Sequence, residues 1–234
     1  MTTQEFSVEF DILYNNLASN SAPPVNEYEK SVFLTKAQSD IVIELYSGRN
    51  NLGLSFESSE EAKSYLNPLI EALETTITNV RPYQGSYISE TVDSIFNMKY
   101  TVIIRAEILK DNKCIPVLPV NNDDLYHILN NPFKKPSKKR ALLGSEYGNY
   151  MIYTDSDYTD CDLIIHVLKK PTPIILNIDG NTEGVTIDEY DVSEGPIESL
   201  LPSSLHYMIL ERAVLLAKMA YVGGQAQQPQ QQQR

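Results

Sequence analysis

The chain of 234 residues contains no tryptophan and only two cysteines, Cys114 and Cys161. These lie far apart, form no CxxC pair and have no histidine at ligand spacing, so neither a zinc knuckle nor a disulfide framework is legible. So few cysteines imply a reducing compartment or a core that needs no staple. No hydrophobic run approaches the ~20 residues that a membrane span requires. The start, Met1-Thr2-Thr3-Gln4-Glu5, lacks the basic residues and apolar stretch of a secretory signal. A soluble protein made in the cytoplasm, without membrane attachment, is the expectation.

Reactive patterns are as scarce. Neither GxxxxGK[ST] nor GxGxxG occurs, so nucleotide binding has no support. His127, His166 and His206 have no second histidine or cysteine at ligand spacing and no serine in an elbow motif, and read as structural. Asp179-x-Asn181-x-Glu183-Gly184 imitates half of a calcium loop, but position twelve is Tyr190 rather than a bidentate glutamate. An ordinary Asp-Gly turn is the better reading. Carboxylate pairs such as Asp123/Asp124 and Asp188/Glu189 are what an acidic chain produces by chance, and none is set apart as a glycosidase pair. No catalytic residue, metal ligand or cofactor is expected, and the chain reads as a non-enzyme.

What the chain does have is polarity. It carries 31 acidic against 19 basic residues, net −12. Five of the cations, Lys134, Lys135, Lys138, Lys139 and Arg140, crowd into one segment, 131–140. An acidic protein with one basic loop suits docking on an acidic neighbour, including an identical copy. A nucleic-acid binder would spread its cations over a broad face, although phosphate contact by this loop alone stays open. A solvated connector is the plain alternative. Pro132 and Pro136 weigh against it, because they stiffen the loop and lower the entropy lost when it binds. Only Phe133 is interleaved with the cations, which argues against base stacking. The 15 tyrosines suit half-wet subunit contacts, or reflect compositional drift.

Periodicity predicts three opening helices. Thr2-x-x-Glu5 reads as a capping box before Phe6, Phe10, Leu13 and Leu17. Asn26-x-x-Glu29 starts the second, which stops at Ser47-Gly48. Ser58-x-x-Glu61 starts the third, with an apolar face reaching Leu73 and a bend or break at Pro68. Strands are predicted over 100–110, over 113–120 (an edge or bulge because of Pro116 and Pro119), and over 140–145, 150–154, 162–169 and 174–178. A short helix covers 122–129. Residues 179–198 read as a long acidic exposed loop. A last helix starts near Pro202, carries its stripe on Leu205, Met208/Ile209, Ala213, Leu216 and Ala220, and ends at Gly223-Gly224. This order gives an α+β fold, a discontinuous helical bundle (1–97 with 199–222) with an inserted, mainly antiparallel β domain (98–198). The Gln-rich tail 223–234 is too polar to bury itself.

Three phrases carry a resemblance: residues 27–46 (EYEKSVFLTKAQSDIVIELY), 131–140 (NPFKKPSKKR) and 201–217 (LPSSLHYMILERAVLLA). They resemble virion structural proteins of crassvirus-like tailed phages of gut Bacteroidales, above all head-tail connector or tail ring proteins. The order of helices, β insertion and closing helix also looks like the adaptors below the portal of podoviruses. The resemblance covers most of residues 1–222. It implies a homo-oligomeric ring of twelve copies, a dodecamer stacked on the portal protein or another ring around the DNA channel, in virions assembled in the host cytoplasm. It supplies no active-site residues. A DNA-contacting or host-glycan-binding virion module is the rival reading.

Overall fold

The computed structural model describes residues 1–17, 24–49, 53–77, 81–83, 86–89, 100–110, 113–146, 149–155, 158, 161–178 and 184–226. Among these lie helices α1 (Thr3–Leu17), α2 (Glu27–Ser47), α3 (Glu60–Leu66), α4 (Asn122–Asn130) and α5 (Ser203–Ala226). The strands are β1 (Ile70–Ile77), β2 (Arg81–Tyr83), β3 (Ser86–Ser89), β4 (Tyr100–Lys110), β5 (Lys113–Pro119), β6 (Ala141–Glu146), β7 (Asn149–Thr154), β8 (Cys161–Lys169), β9 (Thr186–Ile187) and β10 (Tyr190–Asp191). The fold is α+β. Two compact units share it: Met1–Leu69 with Pro171–Arg234, and Ile70–Lys170. They part at 70 and 170, earlier than the 98 and 198 expected from the change of period.

In the helical unit the N-terminal caps are where the sequence puts them, with one shift. Thr2 and Glu5 exchange side-chain-to-backbone hydrogen bonds of 2.8 and 3.2 Å, and Asn26 and Glu29 close a second capping box. For α3 the cap is Ser59, not Ser58, whose hydroxyl instead meets Ser55 at 2.6 Å. Gly48 ends α2 in the left-handed conformation, φ 73°. A Cβ there would lie 2.7 Å from that of Ser55, so glycine is required twice over. Phe6, Phe10 and Tyr14 on α1, Leu34, Ile41 and Leu45 on α2, and Leu205, Ile209, Leu210, Ala213, Val214 and Ala217 on α5 are buried. The α5 stripe is thus rotated from the expected one, leaving Ala220 exposed. Gly223 and Gly224 do not stop α5. They stay helical, and glycine ends a helix when it turns left-handed as Gly48 does.

The predicted strand 174–178 is instead an extended segment served by a helix. Ser31, Thr35 and Gln38, spaced to share one face of α2, are all buried. The Thr35 hydroxyl accepts from the Ile174 amide at 3.1 Å, and that of Ser31 from the Leu176 amide at 2.9 Å. Gln38 donates to the Thr172 carbonyl at 2.7 Å. These side chains stand in for a neighbouring strand, so the buried Ile174, Ile175 and Leu176 leave fewer orphan amides. Beyond them, Ile175 bridges to Ile197, and Ile175, Ile187 and Val192 form a small core. The acidic stretch is therefore a structured flap with the β9–β10 hairpin, not simply an irregular loop; residues 179–183 lie outside the described residues.

Among the described residues the β unit forms an eight-stranded sheet in the order β1-β8-β4-β5-β6-β7-β3-β2. All pairs are antiparallel except β5–β6, where Val117–Pro119 faces Ala141–Leu143 in parallel. Its first strand corrects the sequence reading, since Ile70–Ile77 pairs along its whole length with β8 rather than continuing α3. Pro68 ends the helix in a single 3-10 turn. Glu71, Ala72, Leu73 and Glu74 favour helix, but pairing on β8 overrides that preference. β5 is not an edge strand. Its first half pairs with β4 and its last with β6, so each proline sits where one flank is open. Ile108, Ile115, Val117, Leu143, Ile152, Leu163 and Ile165 form the core on one face of the sheet.

Candidate interaction surface

The basic segment connects α4 to β6. Leu125 and Leu129 on α4 bury against Leu142 and Tyr153 of the sheet, which fixes where the loop leaves. Asn131 organises its first turn, because its side chain accepts from the Phe133 amide at 2.9 Å and its carbonyl from the Lys134 and Lys135 amides. Ser137 and Arg140 then pair backbone to backbone, at 3.0 and 3.1 Å, around Lys138-Lys139. The Tyr158 hydroxyl donates to the Lys138 carbonyl at 2.9 Å, and Pro136 is buried. The loop is a folded object with its own internal bonds.

The five cations do not play one part. Arg140 is half-buried; its Nε donates to the Lys135 carbonyl at 3.2 Å and its Nη2 to the Phe133 carbonyl. It clamps the loop from within and offers little charge outward. Lys134, Lys135, Lys138 and Lys139 are exposed. Phe133 stands among them with 86% of its surface in solvent, the most exposed large hydrophobic side chain among the described residues. The sequence reading passed over Phe133 as too little for base stacking. Its exposure beside four exposed lysines puts it at the centre of the candidate surface, and the signal was its position between Pro132 and two lysines.

Charge separates the units. Met1–Leu69 with Pro171–Arg234 holds 18 acidic against 7 basic residues, net −11; Ile70–Lys170 holds 13 against 12, net −1. Between Lys170 and Arg212 there are eight acidic residues and no lysine or arginine. Arg212 itself is held by Glu44 through two contacts, at 2.6 and 2.8 Å. On α5, Tyr207, Leu215 and Met219 are about half exposed or more, with exposed Glu211 between the first two.

The other candidates for chemistry are quiet. His127 is exposed, and His166 lies with Nε2 3.3 Å from an Arg105 nitrogen. His206 is buried; the Met1 ammonium donates to its Nδ1 at 2.7 Å and its Nε2 donates to the Leu201 carbonyl at 2.8 Å. Burial lowers its pKa, against the pull of the Leu201 carbonyl, and the Met1 ammonium adds to the lowering. The Cys114 thiol donates to Glu107 at 2.9 Å, and that hydrogen bond, with desolvation, raises its pKa. A thiol so placed is a poor nucleophile. Among the described residues no three His, Cys, Asp or Glu converge as metal ligands, and the calcium-like Asp179–Glu183 falls outside those residues. An apolar cleft of about 330 Å³ opens where β5 leaves β4, lined by Val102, Ile103, Val117, Leu143 and Tyr150 with Arg105 at its side. Arg105 pairs with Glu107 at 3.1 Å. No helix among the described residues is long and apolar enough to cross a membrane.

A folded cationic loop with a bare aromatic, in a chain of net −12, is the equipment of a structural protein that works through its surfaces. The chain belongs to the phage tail ring protein 3/4 family, whose profile matches residues 1–229. It is 36% identical over 228 residues to ring protein 3 of Bacteroides phage crAss001, covering 93% of this chain and 95% of that one. It is 31% identical over 234 residues to ring protein 4/5 of the same phage, covering 95% and 94%. A structural virion ring protein follows from that membership.

Proposed function

We propose that this chain closes into a homo-oligomeric ring of twelve copies in the phage tail or head-tail connector, stacked on the portal protein or on another ring around the DNA channel. The segregation of charge between its two units carries the reading. A ring is built from heterologous contacts, in which one surface of a protomer meets a different surface of the next, and unlike charged faces supply such a pair. The near full-length likeness to two ring proteins of one phage supports it. A net charge of −12 would also repel DNA phosphates, so that the genome slides through the channel instead of sticking.

Native mass measurement of the full chain, alone and with portal protein and neighbouring tail proteins, tests this. A closed oligomer in either mixture is expected; a chain that stays monomeric in both, and in dissociated virions, overturns it. Contact between the loop lysines and DNA is the second reading, favoured by their exposure. It predicts salt-sensitive DNA retention that disappears when Lys134, Lys135 and Lys139 are neutralised.

A further inference from the structure

We infer that the loop Pro132–Arg140 is a preformed plug that docks on the outer face of α5 of a neighbouring copy. Phe133 packs against Tyr207 and Leu215 there, and the lysines face Glu211 and the acidic stretch before it. This rests on the ring reading and names the contact that would close the ring.

Three observations point to that partner. The first is rigidity. Arg140, Asn131 and Tyr158 hold the loop's own backbone, and two prolines stiffen it, so little ordering remains to oppose binding. Natural interfaces surround a buried aromatic anchor with a polar rim, which Phe133 and the lysines around it can supply. The second is charge. The helical unit's net −11 is far the larger excess, and its acidic stretch from Pro171 to Glu211 contains no lysine or arginine. The nearest cation on the helix, Arg212, is neutralised by Glu44. Exposed Glu194, Glu198 and Glu211 are thus available to the four lysines. The third is apolar match. Tyr207, Glu211 and Leu215 follow one another at i, i+4 and i+8, which puts them in one stripe along the helix. Tyr207 and Leu215 are 49% and 48% exposed, an apolar outer face flanking a carboxylate on a helix whose other side is packed on its core. An aromatic with cations on one copy meets an aromatic, a carboxylate and an aliphatic on the next. DNA would match the lysines but would leave Phe133 and this stripe in water.

The full chain is prepared with the photo-reactive analogue benzoylphenylalanine in place of Phe133, as an equal mixture of unlabelled and nitrogen-15-labelled copies. After assembly and irradiation, mixed-isotope cross-links to a peptide containing Tyr207 to Leu215 are expected. Cross-links only within one copy, only to another region, or only to DNA overturn the inference. In parallel, Phe133→Ala should weaken self-association about tenfold or more. Triple reversal of Lys134, Lys135 and Lys139 to Glu should abolish it, and Glu211→Lys in the same chain should restore part of it. Rings that form unchanged in the Phe133→Ala and triple variants sink the plug while leaving the ring reading intact. A wild-type chain that never self-associates, even in dissociated virions, sinks both.

Discussion

Arg140 shows how side chains of one charge can serve two purposes within seven positions. Its guanidinium holds the carbonyls of Phe133 and Lys135, so Arg140→Ala should loosen the loop at a stability cost of about 1 kcal/mol. Limited trypsin digestion reads this directly: cleavage after Lys138 or Lys139 should accelerate several-fold, while Lys134→Ala leaves those sites as slow as before. Gly48→Ala forces a left-handed alanine whose Cβ meets Ser55, and should cost about 1–2 kcal/mol in urea unfolding. His206 gives a signed pH dependence. Its folded pKa is lowered, by burial first and by the Met1 ammonium as well, so the unfolded chain takes up a proton near pH 6.5 that the folded chain does not. Stability from this residue is complete above that pH and declines as pH falls below it. Thermal melts between pH 5 and 8 should show the decline, and His206→Gln should flatten it. At this scale the sequence told only part. It marked five cations alike because charge is legible in letters, whereas the inward turn of Arg140 depends on carbonyls brought round by the loop's fold.

The clearest element-scale device is α2 acting as a sheet edge. Ser31→Ala or Thr35→Val should each strand a buried amide and cost about 1–3 kcal/mol by chemical denaturation. Serine and threonine in a helix look like mild weaknesses when only propensity is considered. Their purpose emerges only when residues 172–176, more than 130 positions away, arrive alongside. The same limit explains β1. Residues 70–77 carry helix-favouring letters, and only the ladder to β8 makes them a strand. Where local signals decide, as at Thr2, Asn26 and Gly48 or across the β-branched run 100–110, sequence and structure agree. α5 lies between: its existence was plain, but its buried face was rotated because Leu210 and Val214 answer to neighbours that spacing alone does not identify.

For the whole molecule the decisive quantity is the separation of charge between units, which only the fold could assign. The sequence showed an acidic chain with one basic segment. It could not show that residues 171–211 join the N-terminal helices in one body with nearly all the excess negative charge. Self-association driven by these faces should weaken as sodium chloride rises from 0.1 to 1 M, because the screening length shrinks from ~10 to ~3 Å. Sedimentation velocity across that range checks it, and an oligomer indifferent to salt would show that apolar contacts alone close the ring.

The position of β6 has a mechanical consequence. It lies in the interior of the sheet, hydrogen-bonded to β5 on one side and β7 on the other, and its first residue, Ala141, directly follows Arg140. Tension that passes C-terminally from the loop therefore enters the backbone at a strand gripped from both flanks, instead of at a margin that could peel away. Single-molecule pulling between residue 133 and a site C-terminal to β6 should need a greater rupture force than pulling from the edge strand β2 at residue 82. A handle rooted in this way would let a particle under internal pressure tug on its own joints without unravelling them.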